Sequence, residues 1–215
     1  MDDADPALVP LFTAVIPVKP LTAAKSRLAL PAEARRGFML AFALDTLVAL
    51  TTCDAVARVI IVTADPDVAA AATRHGALVV TDPDTTDLND AITVGVGAAL
   101  RQHPHEGVLV VPADLPCLRP TDVTEVLRQA RSFPKAFVPD RAGTGTTLVV
   151  CQPGKPVVTC YGPTSAARHT DVGLEVLTAA PVRARHDVDT REDLRQAITL
   201  GVGDRTAALA READV

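Results

Sequence analysis

Tryptophan is absent from the sequence, and the aromatic side chains amount to one tyrosine and five phenylalanines. Proteins that stack the bases of single-stranded nucleic acid need aromatic faces, and those that grip a polyanion need clustered cations. With 3% aromatic residues and a net charge of −5, the chain offers neither, so no nucleic-acid partner is expected. The N-terminal stretch MDDADPALVP lacks the basic head and apolar run of a signal peptide. The longest helix-like apolar stretch, FMLAFALDTLVAL (38–50), is interrupted by Asp45 and is too short for a bilayer. No membrane partner is expected, and the location is expected to be cytoplasmic. Cys53, Cys117, Cys151 and Cys160 show no CxxC spacing and no histidine at metal-ligand distance. They read as reduced thiols, with a zinc site the lesser alternative.

What is present is a chain of 215 residues with 48% hydrophobic content, enough for one sizeable core. A single domain over 1–215 is expected, with 1–10 as a flexible tail. Short Val/Ile-rich runs alternate with Ala/Leu-rich stretches of helical period. Strands are predicted at 12–18, 58–63, 77–80, 107–113, 135–139, 146–151 and 182–188. Helices are predicted at 31–50, 66–74, 88–101, 120–131, 164–177, 191–200 and 204–213. The first strands are apolar throughout rather than alternating, as in a parallel sheet covered on both faces. The order predicts an α/β, Rossmann-like fold with a mixed, mostly parallel sheet and helices on both faces. Ligands in such folds bind at the carboxyl ends of strands.

Three sets of polar residues fall there. PVKPLTAAKSRL (17–28) follows the first strand and carries Lys19, Lys25 and Arg27, in a chain with only four lysines. It reads equally as a triphosphate-holding loop or as a solvated basic loop. Asp114, in PADLP, follows the fourth predicted strand and by itself could cap a turn. Asp187 and Asp189, in RHDVDTREDL (185–194), sit two apart in extended chain, where side chains share a direction about 6–7 Å apart. Like charges so placed repel without a cation. Together with Asp114 they would form an oxygen-lined site for Mg²⁺. The competing reading, a helix start capped by Thr190 and Asp193, leaves Asp187 unexplained.

Two Gly-containing stretches read as anion cradles: DRAGTGTT (140–147) and YGPTSAARH (161–169). A hairpin turn and ordinary helix capping are the alternatives. LND (88–90) reads chiefly as a cap. No role is assigned to any of the five histidines.

The motifs in order, IPVK…AKSRL, LNDAI, PADLP, DRAGTGT, YGPTSAARH and DVDTREDL, resemble the small guanylyltransferases of deazaflavin coenzyme F-420 biosynthesis. The similarity covers about 11–202. It implies a nucleotidyltransferase fold and Mg²⁺-dependent GMP transfer from GTP to phosphoenolpyruvate, with 2-phospho-L-lactate or 3-phosphoglycerate as other acceptors. A non-catalytic nucleotide-binding protein on the same fold is the alternative from another class. By motif position, Asp114, Asp187 and Asp189 would hold the metal, and Thr146, Gly162 and Ser165 the acid end of the acceptor. Lys19, Lys25, Arg27 and Asn89 would face the nucleotide, with Lys25 and Asp114 acting in catalysis. A downstream transferase would consume the labile product.

Overall fold

The computed structural model describes residues 11–21, 28–81 and 87–213. The N-terminal tail and the loop carrying Lys25 and Arg27 lie outside the described residues. Seven strands form one sheet: β1 (Phe12–Val18), β2 (Val56–Thr63), β3 (Leu78–Val80), β4 (Gly107–Val110), β5 (Lys135–Pro139), β6 (Thr146–Cys151) and β7 (Glu175–Val176). The helices are α1 (Ala32–Thr51), α2 (Pro66–Arg74), α3 (Leu88–Gln102), α4 (Pro120–Ala130), α5 (Ser165–Asp171), α6 (Arg191–Leu200) and α7 (Asp204–Glu212). The strand order is β3-β2-β1-β4-β6-β5-β7. Only β6 runs against the others, since β1 pairs in parallel with both β2 and β4, and β6 is antiparallel to β4 and β5.

All seven residues of β1 are buried, which explains its unbroken apolar run. Its alternate side chains feed two layers. Phe12, Ala14, Ile16 and Val18 pack with residues of α1, α2 and α4, whereas Val15 packs against Ile92 and Val96 of α3. Helix α3 lies close on the sheet because of Gly95. A β-carbon there would come 2.5 Å from Val15 Cγ1 and 2.6 Å from Val62 Cγ2. A third cluster, with Phe38, Phe42, Cys117, Val188 and Leu194, lies beneath the strand ends.

Asp45, the residue that interrupts the apolar stretch of α1, has a structural task. Helix α7 begins at Gly203, which has no capping side chain. The buried Asp45 carboxylate accepts from Thr206 N at 2.9 Å and from Arg205 N at 3.3 Å instead. It thereby satisfies amides that α7 would otherwise leave exposed at its start.

Three predicted elements are corrected. The strand at 182–188 is a 3-10 turn, Val182–Arg185, followed by irregular chain. Pro181 opens it, its carbonyl accepting from Ala184 N at 3.0 Å, while the short β7 takes the place beside β5. The helix at 164–177 ends at Asp171. Gly173, at φ 81°, turns the chain into β7 there. The fourth strand also ends at Val110 rather than 113, leaving Asp114 in the turn beyond it.

Candidate active site

The sheet order reverses at β1: the chain passes outward to β2 and β3, then returns to place β4 on the other side. The segments leaving β1 and β4 therefore diverge around a crevice. A cleft opens there between Pro17, Lys19, Phe42, Leu88, Pro112 and Asp114. A second hollow continues it along β1 to Thr63 and Asp87. The walls are mainly apolar, and Lys19 is exposed at the junction of the two hollows.

Asp114 meets Asp187 and Asp189 at this crevice. The Asp114 carbonyl accepts from Val188 N at 3.0 Å, and the Val188 side chain is buried in the cluster with Phe38 and Phe42. With Val188 driven inward, its neighbours Asp187 and Asp189 project on the other side. One carboxylate oxygen from each of the three aspartates lies within 4.8 Å of the others. Asp114 and Asp187 are half-buried and Asp189 is exposed.

The segment is anchored from below by α6. Thr190 Oγ1 accepts from Asp193 N at 3.2 Å, and the Asp193 carboxylate accepts from Thr190 N at 2.8 Å and Asp189 N at 3.3 Å. His186 Nε2 donates to the Asp193 carbonyl at 2.9 Å. Asp193 is itself held below the usual carboxylate range. Burial works against that, and the bonds from Thr190 and Asp189 with the Arg141 charge overcome it. The capping pattern and the carboxylate pair thus coexist, the cap fixing where the pair points. Three oxygen anions in so small a volume, with no nitrogen or sulfur donor among them, match a hard divalent cation such as Mg²⁺.

The first cradle is a hairpin between β5 and β6. Asp140 braces it, its carboxylate accepting from Thr144 N at 2.9 Å and its amide donating to Gly145 O at 3.0 Å. The second stretch folds onto this hairpin. Ala166 N donates to Thr144 O at 3.1 Å, and Ser165 N to Gly162 O at 3.2 Å. Two of the first amides of the seven-residue α5 are therefore already engaged. Beside this junction lie the half-buried Thr146, the buried Ser165 and Gly162 at φ 128°.

The two halves of the site are joined by contacts that the sequence did not disclose. Asn89 accepts from Tyr161 N at 2.8 Å and donates to Tyr161 O at 3.0 Å, so the start of α3 holds the strand of chain leading to Gly162. Its amide is thus committed to the protein backbone. The Tyr161 phenol is pushed well above its ordinary value, first by burial and then by the negative charge of Asp114. Arg168 Nη1 lies where a β-carbon on Gly162 would be 3.4 Å away, adding a cation that sequence reasoning passed over. The buried His169 also emerges only here. The i, i+4 spacing of Ser165 and His169 was the signal available for it.

The strand order, the crevice at its reversal and the carboxylates there define the architecture of a nucleotidyltransferase. A nucleotidyl transferase from Methanothermobacter thermautotroptrophicus superposes with a TM-score of 0.63 at 15% identity, covering 88% of this chain and 97% of that one. Residues 12–214 match the family described as guanylyl transferase CofC like, and the chain belongs to that family. It is 45% identical over 202 residues to the phosphoenolpyruvate guanylyltransferase of Streptomyces coelicolor, spanning 93% of this chain and 95% of the relative. It is likewise 45% identical over 201 residues to the protein of the same name from Thermomonospora curvata, spanning 93% and 88%.

Proposed function

We propose that the protein transfers GMP from GTP to phosphoenolpyruvate, giving enolpyruvyl-diphospho-guanosine and pyrophosphate in coenzyme F-420 biosynthesis. The observation carrying this reading is the convergence of three carboxylates within 4.8 Å at the mouth of the crevice. Family membership supports the choice of nucleotide and acceptor. An oxygen of the acceptor phosphate attacks the α-phosphorus of GTP in line, and the bond to the β,γ-diphosphate breaks.

The acceptor phosphate is ionised at neutral pH, so the step needs no general base, and no histidine or cysteine has to serve as one. Such transfers depend on alignment and charge neutralisation. Mg²⁺ held by Asp114, Asp187 and Asp189 would supply the charge that lets two polyanions approach. Lys19, with Lys25 and Arg27 of the same segment, balances the triphosphate and the departing pyrophosphate. Thr146 and Ser165 donate to the acceptor's carboxylate beside Gly162, where the absence of a side chain permits close approach. Phe42 and Leu88 exclude water from the crevice. Asn89 ties the nucleotide side to the acceptor side through Tyr161.

Purified protein with GTP and Mg²⁺ is expected to release pyrophosphate only when phosphoenolpyruvate is added, with 2-phospho-L-lactate and 3-phosphoglycerate giving lower rates. A downstream transferase that consumes the labile product should sustain the signal. Tight GTP binding with no pyrophosphate from any of the three acids would overturn the proposal in favour of a non-catalytic nucleotide-binding protein.

A further inference from the structure

We infer that His169 is a positioning residue that turns the hydroxyl hydrogen of Thr146 outward, making that corner a donor selective for a carboxylate on the acceptor. The inference rests on the reading of Thr146 as an acceptor contact. His169 lies on α5 one turn after Ser165 and is 0% exposed. Its ring is packed against Phe137, with centroids 5.5 Å apart, and meets Tyr161 edge-on at 5.4 Å. Both ring nitrogens are engaged. Nε2 lies 2.9 Å from Cys160 N, and a backbone N–H can only donate, so Nε2 carries the lone pair. In the neutral imidazole the hydrogen is then on Nδ1.

Nδ1 lies 2.9 Å from Thr146 Oγ1, across 23 residues of sequence. The ring N–H also comes within reach of the Ser165 carbonyl. In either arrangement Nδ1 has no lone pair to receive the threonine hydrogen. Thr146 therefore cannot donate to histidine and keeps its own hydrogen for a ligand. A carboxylate oxygen, which only accepts, complements that hydrogen, whereas a ligand N–H would oppose it. The Cys160 amide fixes the tautomer, and the tautomer fixes which way the Thr146 hydroxyl can donate. A buried histidine with no place in the transfer chemistry thus gains a task.

Steady-state kinetics of four variants separate this from mere packing. Gln at 169 reproduces the Nε2 contact to Cys160 but not the Nδ1 donor, and Asn does the reverse. His169→Gln is expected to raise KM for phosphoenolpyruvate about five- to tenfold with KM for GTP within about twofold, in line with a lost hydrogen bond. His169→Asn should recover most of that loss. Thr146→Val should raise the same KM at least as much, and H169Q combined with T146V should be no worse than T146V alone, because both remove one interaction. If the two effects multiply, or H169Q raises both KM values equally, His169 acts only as packing and the inference falls while the reading of Thr146 stands. If T146V leaves KM for phosphoenolpyruvate unchanged, that reading fails and the inference with it. Should H169Q not fold, imidazole ¹⁵N shifts of the wild-type protein decide the matter. Protonated Nδ1 with bare Nε2 is the expected result, and the opposite tautomer overturns it.

Discussion

Replacing Asp187 with asparagine is expected to lower the rate of pyrophosphate release by at least about a hundredfold while the protein stays folded. Even groups that only orient metal ligands cost ten- to a hundredfold when removed, so loss of a ligand is expected to reach or exceed about a hundredfold. The substitution keeps the shape of the side chain and removes its charge, so the Val188 anchor and the Thr190–Asp193 cap should persist. Its effect on stability separates the catalytic reading from a structural one. Three carboxylates drawn within 4.8 Å repel one another when no cation is present. In chelator the variant should remain cooperatively folded, since the Val188 anchor and the Thr190–Asp193 cap do not use the Asp187 side chain. With millimolar Mg²⁺ the wild type should gain stability, since the cation binds the folded state, and the variant should gain much less. Activity within a few-fold of wild type, or a large fall in the metal-free melting temperature, would show that Asp187 is there for the fold.

Acidification from pH 7.5 to pH 5 is expected to cost the folded protein about 2 kcal/mol through His169 alone. Burial is the main cause that lowers this imidazole from 6.5 to about 4. The bond to the Ser165 carbonyl works the other way, and the Arg168 charge adds to the lowering. The unfolded chain thus takes up a proton near the ordinary value, while the folded state refuses it until about pH 4. Stability is at its full value above about pH 6.5 and drains away as pH falls, because the unfolded state binds more protons. Most carboxylates titrate below this window. His75 shares it, its pKa lowered by partial burial and by Arg205 and Arg74. Denaturant unfolding of the wild type and of His169→Gln at several pH values isolates the larger share. The variant should start less stable at pH 7.5 and lose distinctly less on acidification; equal losses in the two proteins would show that His169 is not held neutral.

The features that could be read from the sequence are those written into one short stretch. β1 was legible because every residue of FTAVIPV is apolar, which only a strand buried on both faces requires. The aspartates were legible because a two-residue spacing across Val188 implies a shared direction in extended chain. Thr190 and Asp193 form the box that their three-residue spacing suggests. What escaped depends on distant partners. VRARHDV has the alternation of a strand, yet the edge beside β5 is filled by Glu175–Val176, and Arg185 donates to the carbonyls of Pro139 and Asp140 instead. Nothing in LND reveals that Asn89 clamps a backbone 72 residues away. Nothing near His169 shows that its two nitrogens reach both Cys160 and Thr146. The helix cut short at Gly173 could have been anticipated, since glycine ends helices readily.

Asp114, Asp187 and Asp189 are proposed to share one divalent cation at the end of β4. Anomalous scattering from crystals grown with GTP and Mn²⁺ in place of Mg²⁺ tests it most directly. A manganese peak bounded by the three carboxylates is expected. A saturated crystal with its only peak elsewhere, the three side chains turned away from it, would overturn the shared site.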